Sequence, residues 1–204
     1  WDLAFKYRTP ALILADGVVG QMMEKVVLPP QRPRHTNEET RERCPWAVTG
    51  KNGRKTPNII TSLELDSEAM EINNKRFQAT YRKIEENEVR CEYINTDDCE
   101  YLMVAFGSMA RISQKVMEDA RAQGIKVGII RPITLWPFPT KEIAAVAKHV
   151  KGILVPELNA GQMIEDVRLA VHDTVPVEHY GRMGGIIPSP DEVLEALKEK
   201  IINR

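Results

Sequence analysis

The chain has 204 residues, of which 43% are hydrophobic and 28% charged, and its formal net charge at pH 7 is -1. This composition is typical of a globular protein and argues against a disordered chain. The balance of charge, with no stripe of basic and aromatic residues, argues against nucleic acid or an anionic membrane as partner.

The sequence also lacks the marks of membrane and secreted proteins. No apolar run approaches the ~20 residues that a membrane-spanning helix needs, and no basic segment followed by an apolar stretch opens the chain. Cys44, Cys91 and Cys99 are an odd number in a chain too large to depend on disulfides, and none lies in a Cys-x-x-Cys motif. We therefore predict a cytoplasmic protein that holds no iron–sulfur cluster by itself.

The first part of the chain predicts a helix and one strand. Residues 1–7 read as the end of a helix already in progress, and the chain opens on Trp1, so we expect a fragment of a longer protein. Residues 11–14 form an apolar run long enough for one buried strand. Because an unpaired strand edge is unstable, we expect its partners in a preceding segment or in another subunit.

The middle of the chain predicts a long connection and then a helix. Residues 28–57 contain five prolines and no periodic pattern, which indicates a connection that joins domains or wraps over a partner. In residues 66–87, apolar side chains recur at intervals of three, four and seven residues, which predicts an amphipathic helix of about five turns. Such a helix can lie against a partner or simply carry a solvated charged face.

From residue 100 onward, short apolar runs alternate with helical patterns. We predict strands at residues 102–106, 127–130, 153–155 and 177–180, with a helix after each of them. The last helix has Ser189 as cap, Pro190 at its first position and Glu192 completing a capping box. This alternation implies an α/β fold, a three-layer α/β/α domain with a mainly parallel sheet and right-handed crossovers.

Ligands of open α/β sheets bind at the carboxyl ends of the strands. Ser108, at one such end, could present an anion site or cap its own helix. Glu157 with Asn159 could form a polar site or only shape and cap a loop. Arg182, in a glycine-rich loop, could bind a carboxylate or phosphate, or form a structural salt bridge. The other residues of this edge are Gly107, Arg131, Gly161 and Gly181.

Several common sites have no support in the sequence. Neither Gly-x-Gly-x-x-Gly nor a P-loop occurs, which removes the usual signals for NAD and ATP. The four histidines lack the spacing of a metal site, so we predict no metal. A hydrolase that uses Ser108 ranks last, because Gly-x-Ser-x-Gly is absent.

Five segments resemble, in the same order, the alpha subunit of the 2-oxoacid:ferredoxin oxidoreductases. The likeness spans nearly the whole chain. The segments are residues 16–24 (DGVVGQMME), 46–50 (WAVTG), 131–139 (RPITLWPFP), 159–168 (NAGQMIEDVR) and 180–185 (YGRMGG).

This resemblance implies oxidative decarboxylation of a 2-oxoacid with coenzyme A to an acyl-CoA and carbon dioxide, with ferredoxin as the electron acceptor. Thiamine diphosphate would stabilise the carbanion of that reaction. The resemblance places the diphosphate, its Mg²⁺ and the ligands of the iron–sulfur cluster on the beta and gamma or delta subunits, so that this fragment alone binds no cofactor. The resemblance favours branched-chain 2-oxoacids as substrates, and 2-oxoglutarate is the next candidate.

The resemblance also implies a division of the chain. Residues 1–28 would end the pyrimidine-side thiamine diphosphate domain, residues 29–99 would be a linker with an amphipathic helix, and residues 100–204 would resemble the transketolase C-terminal domain. No catalytic residue is carried over. A non-catalytic scaffolding or interaction domain of a heteromeric complex is the alternative. The candidates for contacts with other subunits or with the edge of the active site are Asp16, Gly17, Gln21, Glu157, Asn159, Gln162 and Arg182.

Overall fold

The computed structural model describes residues 1–51 and 53–203; Asn52, in the predicted linker, and Arg204, the end of the predicted third domain, lie outside the described residues. The helices are α1 Asp2–Tyr7, α2 Gly17–Gln21, α3 Asn37–Arg43, α4 Ser67–Asn87, α5 Gly107–Ala122, α6 Thr140–Ala147, α7 Met163–Val171 and α8 Pro190–Leu197, which a π-helical turn Lys198–Ile202 extends. The strands are β1 Cys91–Ile94, β2 Tyr101–Val104, β3 Val127–Pro132, β4 Gly152–Glu157 and β5 Val177–Gly181.

The five strands form one sheet in the order β1-β3-β2-β4-β5. Strands β2 to β5 run parallel, as the alternation of strands and helices predicts, and β1 pairs with β3 in the antiparallel direction. Strand β1 was not predicted from the sequence. Its four residues lie at the edge of the sheet, where none of them is fully buried, so they lack the continuous apolar run of the inner strands.

Helices cover both faces of the sheet. In β2, Leu102 and Val104 point to one apolar core and Met103 to the other, as the two-residue period of a strand requires. The first core is completed by α6 and α7, which pack together, and the second by α5 and α8. The three-layer arrangement with a mainly parallel sheet is therefore confirmed.

The predicted capping box of the last helix and the predicted range of α4 are also confirmed. The Ser189 hydroxyl accepts from the Glu192 amide while the Glu192 carboxylate accepts from the Ser189 amide, which is the predicted capping box. Helix α4 spans the predicted range and starts after Asp66, whose carboxylate accepts a 2.8 Å bond from the Ala69 amide. The backbone leaves α5 at Gly124, where φ is +81° and a side chain would be strained.

Two predictions are wrong. Residues 11–14 form no strand, and Leu12, Ile13 and Leu14 are exposed, because the described residues provide no strand beside them. The connection at residues 28–57 contains α3, which starts at a capping box formed by Thr36 and Glu39. Gly152 lies beyond the end of α6 and opens β4. A Cβ there would lie 2.5 Å from a methyl carbon of Ile201, so this close approach of backbone and side chain requires glycine.

The chain divides into two compact units. One consists of Trp1–Met22 with Ala79–Arg204 and contains the whole sheet; the other is Met23–Gln78 and contains α3. Among the described helices, none combines the length and the apolar character that crossing a bilayer requires.

Candidate functional site

The carboxyl ends of the four parallel strands meet at one edge of the sheet, as predicted. Helix α5 begins at Gly107, shortly after β2, and β4 ends at Glu157 beside Gly181, the last residue of β5. This edge collects most of the polar residues that the sequence analysis selected.

Glu157 is the buried centre of this edge, with 2% of its surface exposed. Its carboxylate accepts hydrogen bonds from the backbone amides of Met163 at 2.9 Å, Ile164 at 3.1 Å and Gln162 at 3.2 Å. These amides belong to the first turn of α7, which has no side-chain cap of its own from Gln162. Glu157 therefore caps α7 from the end of β4, where the helix dipole favours a negative charge.

The loop that follows is tied to Glu157 and to itself. The side-chain nitrogen of Asn159 donates to the Glu157 carboxylate at 3.1 Å, and the side-chain oxygen of Asn159 accepts a 2.7 Å hydrogen bond from the Gly161 backbone amide. The Arg182 amide donates to the Glu157 carbonyl at 3.2 Å. This geometry favours the simpler of the two interpretations, in which Glu157 and Asn159 shape and cap the loop.

The Arg182 guanidinium is already engaged in an ion pair. Its Nη1 lies 3.4 Å from Glu192 Oε2, the carboxylate that also closes the α8 capping box. These contacts favour the interpretation of Arg182 as a partner in a structural salt bridge. Among the remaining candidates, Gln162 is exposed beside the start of α7, while Gly17 opens α2 and Gln21 ends it, both exposed.

His179 is a residue of this edge that the sequence analysis did not select. Its Nε2 lies 3.9 Å from Glu157 Oε1 and makes no hydrogen bond with the described residues. Burial lowers the pKa of His179; the attraction of Glu157 opposes this, and the positive charges of Lys200 and Arg168 add to the lowering. The imidazole is thus mainly neutral at pH 7. Only the pairing of β5 with β4 brings it beside Glu157, and the local sequence carries no signal of that.

Asp16 joins the N-terminal segment to the sheet edge. Its carboxylate caps α2 by accepting from the Val18 amide at 3.0 Å and the Val19 amide at 2.9 Å. Burial alone would raise the pKa of Asp16, but hydrogen bonding from Val19 and from Ser108 outweighs burial and lowers it. Asp16 Oδ2 also lies 3.6 Å from the position of a Cβ on Gly107. The Asp16 carboxylate therefore also lies beside the start of α5.

Ser108 does not cap its own helix, which corrects one of the two interpretations given to it. Helix α5 follows Phe106 and has no side-chain cap. The Ser108 hydroxyl is buried and makes no hydrogen bond of standard geometry with the described residues. The backbone amide of Ser108 and the Asp16 carboxylate take the place of a local cap.

Cavities formed by the described residues open along this edge. One of about 300 Å³ brings together Asp16, Glu157 and Asn159. A second, of about 730 Å³, is open and polar, and Asn159 and Arg182 line it together with His179. A third, of about 610 Å³, is mainly apolar and lies between residues 9–14 and residues 131–137.

Replacing Asp16 by alanine is expected to loosen the segment that contains α2. The Val18 and Val19 amides lose their acceptor, and loss of such a cap costs about 1 kcal/mol. Amide hydrogen exchange of residues 17–21 should accelerate, while that of the inner strand β2 stays unchanged. Asp16→Asn keeps an acceptor oxygen and is the matched control; equal exchange in wild type and Asp16→Ala would show that the cap is not what holds α2.

The residues at this edge do not fit the diphosphate, the Mg²⁺ or the cluster that the resemblance implies. Helix starts bind phosphate through unpaired amides, and Asp16 and Glu157 already occupy the starts of α5 and α7. A metal ion or cluster needs several convergent His, Cys, Asp or Glu ligands, and the described part of the chain contains no such group.

Comparison with known proteins gives one consistent family. Residues 99–193 match the model of the pyruvate:ferredoxin oxidoreductase core domain II. The chain is 41% identical, over 98% of its length and 54% of the relative's, to ketoisovalerate oxidoreductase subunit VorB of Methanothermobacter thermautotrophicus. It is 27% identical, over 97% of its length and 58% of the relative's, to 2-oxoglutarate synthase subunit KorA of Methanothermobacter marburgensis.

A solved structure agrees with the fold. The 2-oxoglutarate:ferredoxin oxidoreductase from Magnetococcus marinus matches with a TM-score of 0.61 and 21% identity, over 76% of this chain and 30% of that one. The chain spans about half the length of the curated relatives it matches. The resemblance to the oxidoreductase family is confirmed at this level. The chain is similar over nearly its whole length to subunits of 2-oxoacid:ferredoxin oxidoreductases, and its residues 99–193 match the core domain II of pyruvate:ferredoxin oxidoreductase.

Proposed function

We propose that this chain is part of the alpha subunit of an enzyme that oxidatively decarboxylates 2-oxoacids to acyl-CoA and carbon dioxide and passes the electrons to ferredoxin. The observation that carries the proposal is the 41% identity to the ketoisovalerate subunit over 98% of this chain. Similarity over that length includes the N-terminal segment and the middle unit as well as the sheet domain.

Branched-chain 2-oxoacids are the proposed substrates. Identity to the ketoisovalerate relative, at 41%, is higher than identity to the 2-oxoglutarate relative, at 27%, over nearly the same share of this chain. Following the resemblance, we assign the diphosphate, Mg²⁺, the cluster and the carbanion chemistry of the thiamine to the beta and gamma or delta subunits.

In this proposal the sheet domain lies beside the catalytic centre of a heteromeric, cytoplasmic complex. The proposal keeps the division of the chain into residues 1–28, 29–99 and 100–204. Asp16, Glu157 and Asn159 line one cavity at the sheet edge, and this supports a common role at the border with another subunit. The remaining proposed contact residues are Gly17, Gln21, Gln162 and Arg182.

The test is anaerobic purification of the complete native complex through this subunit, followed by measurement of viologen reduction. We expect 2-oxoisovalerate to be oxidised faster than 2-oxoglutarate or pyruvate, and only when coenzyme A is present. Faster oxidation of 2-oxoglutarate would remove the branched-chain assignment alone. A complex that retains thiamine diphosphate and clusters yet oxidises none of the three acids would contradict the enzyme assignment and favour the scaffolding alternative.

A further inference from the structure

Residues 59–65 combine the sequence of a β-strand with a structure that contains none. Ile59, Thr61, Leu63 and Leu65 occupy alternate positions, and residues 59–61 are all β-branched. Both features are typical of a strand. In the structure the segment belongs to no helix or strand, and no described strand pairs with it. Its apolar side chains are exposed: Ile59 by 82%, Ile60 by 58%, Leu63 by 72% and Leu65 by 86%.

Both ends of this segment are held by the middle unit. At one end the Asn58 side chain donates to the Pro45 carbonyl at 2.6 Å and to the Ala47 carbonyl at 3.0 Å. At the other end Asp66 caps α4 through the Ala69 amide. A segment anchored at both ends loses less conformational entropy on binding than a free tail, so it is suited to present its backbone to a partner.

The β5 edge of this protein is an example of a strand edge that is protected from pairing. Pro176, just before β5, gives its carbonyl to β4 through the Ile153 amide, so the carbonyls of Val177 and His179 point away from the sheet. These two accept from the Arg168 guanidinium at 3.3 Å and from the Lys200 ammonium at 2.8 Å. Cationic side chains thus close the β5 edge against pairing with another chain.

Residues 59–65 have no comparable protection. The Leu63 amide donates to the Thr61 hydroxyl at 3.2 Å, and Glu64 is the only ionisable side chain among the seven residues. Exposed apolar side chains on a backbone without a strand partner are the requirements for strand addition, in which main-chain bonds supply affinity and alternate side chains enter pockets.

The neighbouring segment indicates the charge of the partner. Residues 29–57 contain seven Lys and Arg against three Asp and Glu, although the whole chain has a net charge of -1. A surface rich in carboxylates beside an open sheet edge complements this composition. A second copy of this chain suits it less well, because its β5 edge is closed and its β1 edge has only four residues.

We infer that residues 59–65 add as an edge strand to the open sheet of another subunit whose adjoining surface is acidic. Because the partner is another subunit of the complex, the inference rests on the proposed function. An added strand turns every second backbone amide toward its neighbour, so it leaves an alternating pattern that burial in a loop does not produce.

The experiment is amide hydrogen exchange at single-residue resolution on the complete native complex and on this subunit isolated from it. We expect either the odd or the even residues of 59–65 to exchange about 100-fold more slowly in the complex, and the other set to exchange at nearly unchanged rates. Uniformly fast or uniformly slow exchange in the complex would overturn the inference. So would alternating protection in a preparation that contains no other protein chain.

A matched pair of variants gives a second test. Leu63→Glu is expected to reduce recovery of the partner subunit about 10-fold, whereas Leu169→Glu, on α7 with a similar exposure of 69%, should leave recovery unchanged. Equal recovery with both variants would contradict strand addition. Thermal unfolding of each isolated variant subunit checks that the variant is folded.

The two proposals can fail separately. An inactive complex with alternating protection would contradict the proposed function alone, and an active complex without alternating protection would contradict this inference alone.

Discussion

Replacing Glu157 by alanine is expected to lower the free energy of unfolding by about 3 kcal/mol, because the three amides of the first turn of α7 lose their acceptor. Each buried donor left without a partner costs about 1–3 kcal/mol, and water entering the vacated space recovers part of that cost. The change is measured as the shift in the denaturation midpoint of the isolated chain in urea, analysed at constant m-value.

Two further variants separate the role of the carboxylate from that of any acid near α7. Glu157→Gln keeps one acceptor oxygen but turns an NH₂ group toward the helix start, so it should cost about 1–2 kcal/mol. Glu165→Gln, in the same first turn but exposed, should cost less than about 1 kcal/mol. If Glu157→Ala and Glu165→Gln had the same effect, the buried carboxylate would not be the cap that the geometry indicates.

Most of the sheet domain could be predicted because its signals are local. The inner strands are short apolar runs, and their helices carry one apolar face and recognisable ends such as Gly124 and the Ser189 capping box. Strand β1 escaped prediction because half-exposed edge residues show no such run, and its pairing partner β3 lies about 40 residues further along. Helix α3 escaped because prolines surround it, although Thr36 and Glu39 do form a capping box.

The candidate site could be predicted in position but not in its bonding. The rule for parallel sheets places Glu157 at the ligand-binding edge, yet it does not say that the carboxylate turns inward to the amides of α7. The contact between Asp16 and the start of α5 joins segments about 90 residues apart. Such contacts depend on how α2 packs on α5, which no short-range pattern in the sequence reports.

The contact of α1 with Glu88 is expected to make the stability of this chain fall at acidic pH. Glu88, with 6% of its side chain exposed, accepts from Lys6 Nζ at 2.6 Å and from the Tyr7 hydroxyl at 2.7 Å. These hydrogen bonds and a further one from Arg90 lower the pKa of Glu88 from 4.5 to about 2, against the effect of burial. A carboxyl whose pKa is lower in the folded state contributes stability above its unfolded pKa. That contribution is therefore complete above pH 4.5 and disappears as the pH falls toward 2.

Glu88→Gln keeps the size of the side chain and removes its charge, so its effect should follow the same pH range. The variant is expected to be less stable than wild type at pH 6. The two should converge as the pH falls toward 2, because Glu88 is then protonated in the unfolded state and increasingly protonated in the folded state. Urea unfolding at pH 6, 4, 3 and 2 measures this, with Glu86→Gln, an exposed position of α4, as control. A difference between wild type and Glu88→Gln that stayed constant down to pH 2 would show that the charge of Glu88 does not hold α1. A difference that closes would assign this part of the acid sensitivity to the contact between Lys6, Tyr7 and Glu88.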